Sequence, residues 1–383
     1  MKIIGVICEY NPFHLGHKKQ FNLIRKEFGD DSAIVCLMSG NFVQRGYPAI
    51  FHKSLRAAAA IECGADLVLE LPVQYALSSA EGFAAGGVKI LSQFCDYLCF
   101  GAESGTAEAF LTTAEALLRP EFSDALHAEL ATGISFAAAR QRALESMGVD
   151  ASLLENPNDI LGLEYCKAIL AQGCAMQPFV IHRQGSYHAD KPDNENPSAT
   201  SLRMLLQVGE AWQNYVPAEA AAVFESAPIY TLSAGERSIL TRLRTMTDPE
   251  FEALPYGSEG LWRKLMHNCR SCSTLDEIIL ATKSKRYARS RLDRMVMCAF
   301  LGMNLADMQT IPPYTRVLGF NDSGTAVLKI ARNAGVYPHI GEKTGHEYEA
   351  LEQRLDSLYG LFRTDTPAAP KEKLRVYVKK AAD

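Results

Sequence analysis

The sequence predicts an α/β protein with a doubly wound parallel sheet, followed by a mainly helical C-terminal region. Within the first 105 residues, short apolar runs rich in isoleucine, valine and leucine recur, and each is followed by a segment with helical character. Strands that alternate with helices of about 10–15 residues indicate right-handed crossover connections, which make neighbouring strands parallel. We therefore expect a Rossmann-like, nucleotide-binding sheet in this part of the chain.

The elements follow in a regular order. Lys2 to Cys8 is a nearly continuous apolar run, as expected for a strand covered on both faces, and Gly29 ends the helical segment that follows it. The same cycle then predicts strands at 33–38, 66–71 and 97–101, and helices at 17–28, 52–63 and 79–93. Further along we expect helices through 106–148, a strand at 177–181 and a helix at 199–208.

The second half of the chain has a different pattern. It is mainly helical to about Met308, with a short mixed segment at 316–320 and a helical region at 346–361. An alanine-rich stretch with Pro217 and Pro228 nearby suggests a boundary in this neighbourhood. We predict a first domain with the α/β sheet over residues 1–215 and a mainly helical second domain over residues 216–383.

Composition limits the class of protein. The chain has 383 residues, of which 48% are hydrophobic and 22% charged, an ordinary balance for a protein that buries large cores. No apolar run approaches the roughly 20 residues of a membrane helix, and the N-terminus lacks a signal-peptide pattern, so we expect a cytoplasmic protein. Ten scattered cysteines fit that compartment. Cys269 and Cys272 have CxxC spacing without a second pair, so no metal ligands are assigned.

Polar clusters follow the predicted strands. They are Glu9–His17, Ser39–Gly46, Glu70–Pro72 and Phe100–Ser104. Ligands of open parallel sheets bind at the carboxyl ends of the strands, where the strand order reverses. Four such clusters in one domain therefore favour a binding site at this edge.

The most specific signal is the sequence His14-Leu15-Gly16-His17. If a helix begins here, its unpaired backbone N–H groups and its dipole attract an anion such as phosphate. Gly16 allows the ligand to approach the backbone closely, and His14 and His17 lie on the same face of the first turn. Both imidazoles could then donate hydrogen bonds to phosphate. A capping histidine followed by an exposed one is the alternative, and the spacing differs from the HExxH pattern of zinc sites.

A second anion site is predicted at Ser198–Arg203. Its hydroxyl groups, helix N-terminus and guanidinium would converge on one point, although an ordinary N-cap is the alternative. Together with the histidine pair, this segment is expected to hold the β- and γ-phosphates of a nucleotide.

Longer strings make the resemblance to a known family specific. His-x-Gly-His with a later Ser/Thr-rich segment ending in arginine resembles the nucleotidyltransferase superfamily related to class I aminoacyl-tRNA synthetases. Seven strings resemble the tRNA(Met) cytidine acetate ligase family: GVICEYNPFHLGH (5–17), MSGNFVQRGYPA (38–49), ADLVLELP (65–72), FGAES (100–104), NPNDILGLEY (156–165), SATSLR (198–203) and RVLGFN (316–321). They occur in order through nearly the whole chain.

The resemblance implies a reaction and a set of residues. The family activates acetate with ATP, forms acetyl-adenylate and pyrophosphate, and transfers the acetyl group to the wobble cytidine of elongator methionine tRNA. The implied catalytic residues are His14, His17 and Arg203. The implied ATP-binding residues are Ile7, Glu9, Tyr10, Asn11, Pro12, Phe13, His14, Gly16, His17, Gln20, Gly101, Asn158, Arg183, Ser198 and Thr200. Mg²⁺ is expected to arrive with ATP, since no dedicated carboxylate cage is visible.

The net charge of −5 means that any tRNA binding must come from a local basic patch. The best one, which we call the basic segment, is Lys283–Arg294, with six basic residues and one acidic residue. On a helix, Lys285 and Arg289 would lie near one face and Tyr287 could stack on a base. A solvated surface is the alternative. The candidate tRNA-binding residues are Arg45, Lys283, Lys285, Arg286, Arg289 and Arg291.

Two other functions are considered beside the ligase. The first is an adenylyltransferase that acts on a small molecule, which would not need the large helical half or the basic segment. The second is a non-catalytic RNA-binding protein on the same fold, which would have no need of His14, His17 and Arg203 together. Neither a membrane nor an obligate protein partner is expected.

Overall fold

The computed structural model describes residues 1–182, 197–284, 287–333, 338–339, 346–369 and 376–380. The first part contains β1 (Ile3–Cys8), α1 (Leu15–Phe28), β2 (Ala33–Ser39), β3 (Phe42–Val43), β4 (Tyr47–Pro48), α2 (Lys53–Glu62), β5 (Leu67–Leu71), α3 (Val73–Ala76), α4 (Ala80–Leu91) and β6 (Tyr97–Ala102). It continues with α5 (Ala107–Leu118), α6 (Pro120–Ala131), α7 (Phe136–Ser146), α8 (Pro157–Ala171), β7 (Gln177–His182) and α9 (Ala199–Val208).

The second part is mainly helical. It contains α10 (Ala218–Phe224), α11 (Leu232–Thr245), α12 (Asp248–Glu252), α13 (Leu261–Ser271), α14 (Leu275–Thr282), α15 (Arg289–Leu301), α16 (Leu305–Gln309), β8 (Thr315–Phe320), α17 (Asp322–Asn333), β9 (Pro338–His339), α18 (Tyr348–Tyr359) and β10 (Tyr377–Val378). Among the described residues, none of these helices combines the length and the apolar character that crossing a membrane requires.

The main sheet has the order β10-β8-β5-β2-β1-β6-β7, with β9 beside β8. From β5 to β7 all neighbours are parallel, and the chain builds outward from β1 on one side before it returns to add β6 and β7 on the other. The strand order therefore reverses between β1 and β6, which makes this the expected position of a ligand. The predicted doubly wound α/β sheet is confirmed.

The strands form as the apolar runs indicate. All seven residues of β2 are buried, because helices cover both faces of the central strands. Two aspartate side chains bridge neighbouring strands at the opposite, amino-terminal edge: the buried Asp66 accepts the Ile34 N–H at 2.7 Å, and the exposed Asp96 accepts the Ile3 N–H at 2.8 Å. The carboxyl-terminal edge is therefore the one whose polar clusters are available for other contacts.

Some elements differ from the sequence predictions. The cluster after β2 contains a small hairpin, β3–β4, instead of a simple loop. The mixed segment near residue 316 forms β8, which pairs with β5 antiparallel, and β10 extends the sheet beyond β8. The second half of the chain thus contributes strands to the sheet of the first half. The division at residue 215 stays a prediction.

The helical part has its own core. Helices α11, α13, α14, α15 and α18 contribute its buried apolar side chains, and Phe42 of the hairpin packs against them too. Ten consecutive residues of α15, Leu292–Leu301, are buried, so this helix lies at the centre of that core. Its contacts with the hairpin bring the helical part close to the carboxyl edge of the sheet.

Candidate active site

A cleft of about 360 Å³ lies at the carboxyl ends of β1 and β6, where the strand order reverses. The predicted residues that line it are Ile7, Glu9, Tyr10, Asn11, His14, Gly16, His17, Gln20, Arg45, Gly101, Asn158, Ser198, Thr200 and Arg203. Pro12 and Phe13 are instead buried, and Phe13 packs in the core beside β1. Arg183 lies outside the described residues.

His14 and His17 form one unit at the start of α1. His14 is the N-cap residue, and its Nδ1 accepts the Gly16 N–H at 3.1 Å. The Nδ1 of His17 accepts the N–H of His14 at 3.2 Å, and the two rings stack with centroids 3.7 Å apart. Because Nδ1 is the acceptor in both rings, each neutral imidazole carries its proton on Nε2, where it can donate to an anion.

The residues around this pair explain its rigidity. The ring centroid of Tyr10 lies 4.8 Å from that of His17, and the ring of Phe13 is 5.4 Å away. A Cβ atom at Gly16 would lie 3.0 Å from Cε1 of His14. Any larger residue here would press on the ring of the capping histidine, so glycine favours the capping geometry as well as ligand access. Sequence reasoning identified only the second reason.

The N-terminus of α9 lies on the same cleft. Ser198 is its N-cap and accepts the Ser201 N–H at 3.1 Å, so the ordinary capping role that the sequence left open is present. Arg203 donates to the main-chain oxygen of Asn11 at 2.8 Å and to Thr200 Oγ1 at 3.0 Å. These contacts connect α9 to the loop that leads into α1. The structure thus brings both predicted anion-binding segments to one cleft.

The β6–α8 side of the cleft is built around Asp159, which sequence reasoning missed. This fully buried carboxylate accepts the backbone N–H groups of Glu103 and Ser104 at 2.8 and 3.1 Å. Asn158, which precedes Asp159 and lines the cleft, donates its side-chain amide N–H to the Glu103 carboxylate. The loop after Gly101 is therefore fixed by the start of α8. An acidic residue in the string NPNDILGLEY was the available signal.

Arg56 is a second missed residue. Its guanidinium is fully buried and donates to the main-chain oxygens of Phe51, Glu9, Ser39 and Gly40. It thereby joins the carboxyl ends of β1 and β2. Burial lowers the pKa of this guanidinium, although the group stays charged because the ordinary value is so high. In the sequence it resembles a surface residue of an alanine-rich helix.

Glu9 and the hairpin meet at the edge of the cleft. Glu9 Oε1 accepts the Gln44 N–H at 2.7 Å, and Arg45 follows on the same edge. Burial raises the pKa of the Glu9 carboxyl, and the charges of Arg203, Arg56 and Arg45 oppose that rise. The Glu9 carboxylate is therefore withdrawn from solvent but lies close to three arginine side chains.

The hairpin also contacts α15. Tyr47 donates to Asp293 Oδ2 at 2.8 Å, and Arg294 donates to the Gln44 main-chain oxygen at 3.3 Å. Gly46 has φ +83°, and a Cβ there would lie 2.5 Å from the Arg294 nitrogen. Only glycine permits this approach. The same hairpin therefore contacts the cleft and the helical core.

A buried ion cluster lies at the end of β5. It consists of Lys53, Glu70, Arg316, Glu352 and Asp356. Lys53 Nζ is 2.9 Å from Glu70 Oε1 and 2.8 Å from Asp356 Oδ1, and its side chain is only 3% exposed. Burial and the charge of Glu70 raise the pKa of Glu352 to about 7. The cluster connects α2 and β5 with α18, so it fastens the C-terminal helix onto the sheet.

The basic segment is not one continuous helix. Ser284 and Tyr287 form an isolated antiparallel bridge, and α15 begins only at Arg289, which corrects the expected helical face. Lys285 and Arg286 lie outside the described residues.

The described arginines of the segment have intramolecular partners. Arg289 pairs with Asp276 at 2.7 Å, and Arg291 donates to the Tyr256 main-chain oxygen at 2.9 Å. The Arg291 guanidinium also lies over the Tyr287 ring, 4.7 Å from its centroid. These contacts hold the segment together, and its role in tRNA binding stays a prediction.

The arrangement suits the binding of a phosphorylated nucleotide. Two helix N-termini, two imidazoles and Arg203 converge on a cleft that Lys19 also lines. Among the described residues, no three side chains of His, Cys, Asp or Glu come together as a metal site, and Cys269 is fully buried. Charge stabilisation on a phosphate is therefore the chemistry that these groups support.

Comparisons with known proteins agree with this geometry. The model of the family described as HIGH Nucleotidyl Transferase matches residues 1–373. Proteins named tRNA(Met) cytidine acetate ligase are 36% identical in Alkaliphilus metalliredigens (89% of this chain, 87% of the relative) and 36% identical in Bacillus subtilis (92% and 90%). A crystal structure of apo Thermotoga maritima TmcAL matches with a TM-score of 0.91 at 27% identity, covering 100% of both chains. TmcAL bound with alpha-thio ATP matches with a TM-score of 0.88 at 28% identity, over 99% of this chain and 100% of that one.

Proposed function

Because the chain belongs to the HIGH nucleotidyl transferase family, together with the tRNA(Met) cytidine acetate ligases, we propose that it acetylates the wobble cytidine of elongator methionine tRNA. In the first step the acetate carboxylate attacks the α-phosphate of ATP, and pyrophosphate leaves. In the second step the cytidine amine attacks the acetyl carbon of acetyl-adenylate, and AMP leaves. We expect this to occur in the cytoplasm, without an obligate protein partner.

The observation that carries the proposal is the stacked pair of His14 and His17 at the N-terminus of α1. Both rings are oriented by backbone N–H groups, so their Nε2–H donors are positioned before the substrate arrives. Donors that need no reorganisation stabilise the charge that builds on a phosphate in the transition state. Acetate needs adenylation to acquire a good leaving group, and this site needs no enzyme nucleophile to supply it.

The rest of the nucleotide follows from the resemblance. Gly101 and Asn158 are proposed to hold the nucleoside end, since they belong to β6 and α8, whereas the histidine pair lies at the start of α1. Ser198, Thr200 and Arg203 are proposed to hold the β- and γ-phosphates, with Arg203 placed by its contact with the Asn11 oxygen. Arg183 stays a candidate from the family resemblance alone.

Magnesium is proposed to enter on the phosphates of ATP. Among the described residues no cluster of three metal-ligating side chains exists to hold it independently. Mg²⁺ commonly keeps several waters and binds through substrate phosphates, where it neutralises charge. The protein's own contribution would then be the histidine and arginine donors.

The tRNA is proposed to approach from the side of the hairpin. Arg45 is exposed at that edge of the cleft, and the hairpin contacts α15, at whose N-terminal end the basic segment lies. Lys283, Lys285, Arg286, Arg289 and Arg291 are the remaining candidates for phosphate contacts. Such contacts make the affinity for tRNA fall steeply with salt.

The decisive experiment incubates the purified protein with ATP and radiolabelled acetate, with and without elongator methionine tRNA. Label in the tRNA, accompanied by AMP, supports the proposal, and nuclease mapping must then locate it on the wobble cytidine. Pyrophosphate release without labelled tRNA would favour a small-molecule adenylyltransferase. Binding of tRNA without any turnover would favour the non-catalytic alternative. A tRNA transcript with uridine at the wobble position is the matched control.

A further inference from the structure

Two carboxylates line the described part of the cleft, on opposite sides of the point where the strand order reverses. Glu103 follows β6 and receives the amide of Asn158, so it belongs to the side proposed for the nucleoside. Glu9 follows β1 and contacts the hairpin after β2. The two groups therefore have different neighbours, and Glu9 lies on the side from which tRNA is proposed to approach.

Glu9 is held from three elements. Its Oε1 accepts the Gln44 N–H at 2.7 Å, and its main-chain oxygen accepts from Arg56 on α2. Glu9 also directly follows Cys8, the last residue of β1. Fixing one carboxylate oxygen and the backbone also fixes the direction of the second oxygen. Arg45 is the residue next to Gln44 and lines the same cleft. A hydrogen-bond acceptor and a cationic donor thus stand side by side on one edge.

This pair matches the chemistry of a cytosine edge. Cytosine presents the N4 amine as donor beside N3 and O2 as acceptors, and carboxylates are the side chains that accept from N4. Uracil presents an oxygen in place of the amine, which a carboxylate would repel. We propose that Glu9 and Arg45 recognise the acceptor cytosine and that Glu9 is the base that removes the N4 proton. This inference rests on the proposed function.

The transfer step then balances. The N4 nitrogen attacks the carbonyl carbon of acetyl-adenylate, and a C–N bond forms. The bond between that carbon and the phosphate oxygen breaks, and AMP leaves with its electron pair. One N4 proton moves to the Glu9 carboxylate, from which it passes to solvent. No oxidant, reductant or further reactant is needed.

The environment of Glu9 favours this role. A general base is most effective when its pKa lies near the operating pH while it stays ionised. Burial raises the pKa of Glu9, while Arg203 on α9, Arg56 on α2 and Arg45 on the hairpin oppose the rise and favour the ionised form. The carboxylate is therefore more basic than an exposed one yet still available as an acceptor.

The test compares Glu9→Gln with Glu103→Gln in the full-length protein and measures the two half-reactions separately. Acetate-dependent exchange of pyrophosphate into ATP reports adenylation, and single-turnover labelling of tRNA reports transfer. Glutamine keeps an acceptor for the Gln44 N–H but cannot take a proton. We expect Glu9→Gln to slow transfer about 10²–10⁴-fold more than it slows exchange, the usual contribution of a general base, and any loss of exchange then measures the part that Glu9 has in binding ATP. Glu103→Gln should slow both reactions by a similar factor.

A second readout separates a chemical role from a structural one. The wild-type transfer rate should rise with pH along an acidic limb that is absent in Glu9→Gln, and Glu9→Asp should retain that limb with a lower rate. A uridine-substituted transcript should also inhibit Glu9→Gln more strongly than the wild type. Equal losses in both half-reactions, or transfer within about tenfold of the wild type, would overturn the inference alone. A wild-type protein that makes no acetylcytidine would overturn the proposed function as well.

Discussion

The histidine pair allows its two roles, capping the helix and stabilising phosphate, to be separated by substitution at His17. In His17→Asn the Oδ1 atom stands near the position of Nδ1 and can still accept the His14 N–H, which the imidazole accepts at 3.2 Å. The asparagine has no group at the position of Nε2. We therefore expect the fold to survive while the contact with phosphate is lost.

The two effects have different magnitudes. Losing a preorganised donor to a transition-state oxyanion typically slows a reaction about 10²–10³-fold, equivalent to about 2.7–4 kcal/mol. Losing a capping hydrogen bond typically lowers the free energy of unfolding by about 1 kcal/mol. His17→Ala should show both losses, and His17→Asn only the first. His17→Gln places an amide N–H near the Nε2 position and should recover part of the rate.

Acetate-dependent pyrophosphate exchange measures the rate, and thermal unfolding of the same preparations measures the stability. Because the three variants change the same residue, differences between them reflect only the side chain at position 17. An active His17→Asn protein would refute the assignment of His17 to the phosphate. A His17→Asn protein as unstable as His17→Ala would refute the capping argument instead.

Three further predictions concern other parts of the molecule. Lys53→Met should lower the free energy of unfolding by about 3–5 kcal/mol in urea unfolding, because Glu70 loses its ion-pair partner and Asp356 keeps only the more distant Arg316, at 3.9 Å. Lys379→Met removes a more exposed pair and should cost less than about 1 kcal/mol. The raised pKa of Glu352, about 7, means that its contribution to stability is full at low pH and is lost as pH rises through that value. Glu352→Gln, which can still accept from Tyr314, should therefore gain stability relative to the wild type between about pH 5 and about pH 8, and a constant difference would contradict this. Lys283→Glu should weaken tRNA binding and reduce the slope of log affinity against log salt concentration by about one, without changing pyrophosphate exchange. An unchanged slope would show that Lys283 does not contact the tRNA.

Local patterns predicted the sheet and the start of the site well. The strands of the parallel sheet are short apolar runs, and a buried strand needs little beyond its own residues to be recognised. The helix at His14 could be predicted because capping depends on residues within one turn. Ser198 and α9 could be predicted for the same reason.

Contacts between distant residues could not be predicted in this way. Arg56 sits in an alanine-rich helix, and nothing near it in sequence shows that the carbonyl groups at the ends of β1 and β2 will surround it. The pairing of Arg289 with Asp276 depends equally on how α14 and α15 pack. The sequence predicts only a mixed segment where β8 forms, because the antiparallel partner of β8, β5, is about 250 residues away.

The hairpin β3–β4 shows why these long-range contacts matter for function. Its strands have two residues each, and a hairpin of this size has little stability alone. Its conformation is therefore set by its surroundings: the Gln44 N–H binds the Glu9 carboxylate in the cleft, and the Gln44 oxygen accepts from Arg294 on α15. The two peptide groups that flank Gln44 thus connect the proposed site of acetyl transfer to the helical core. It follows that packing changes around α15 act on the cleft through the hairpin, even where they touch no residue that lines it.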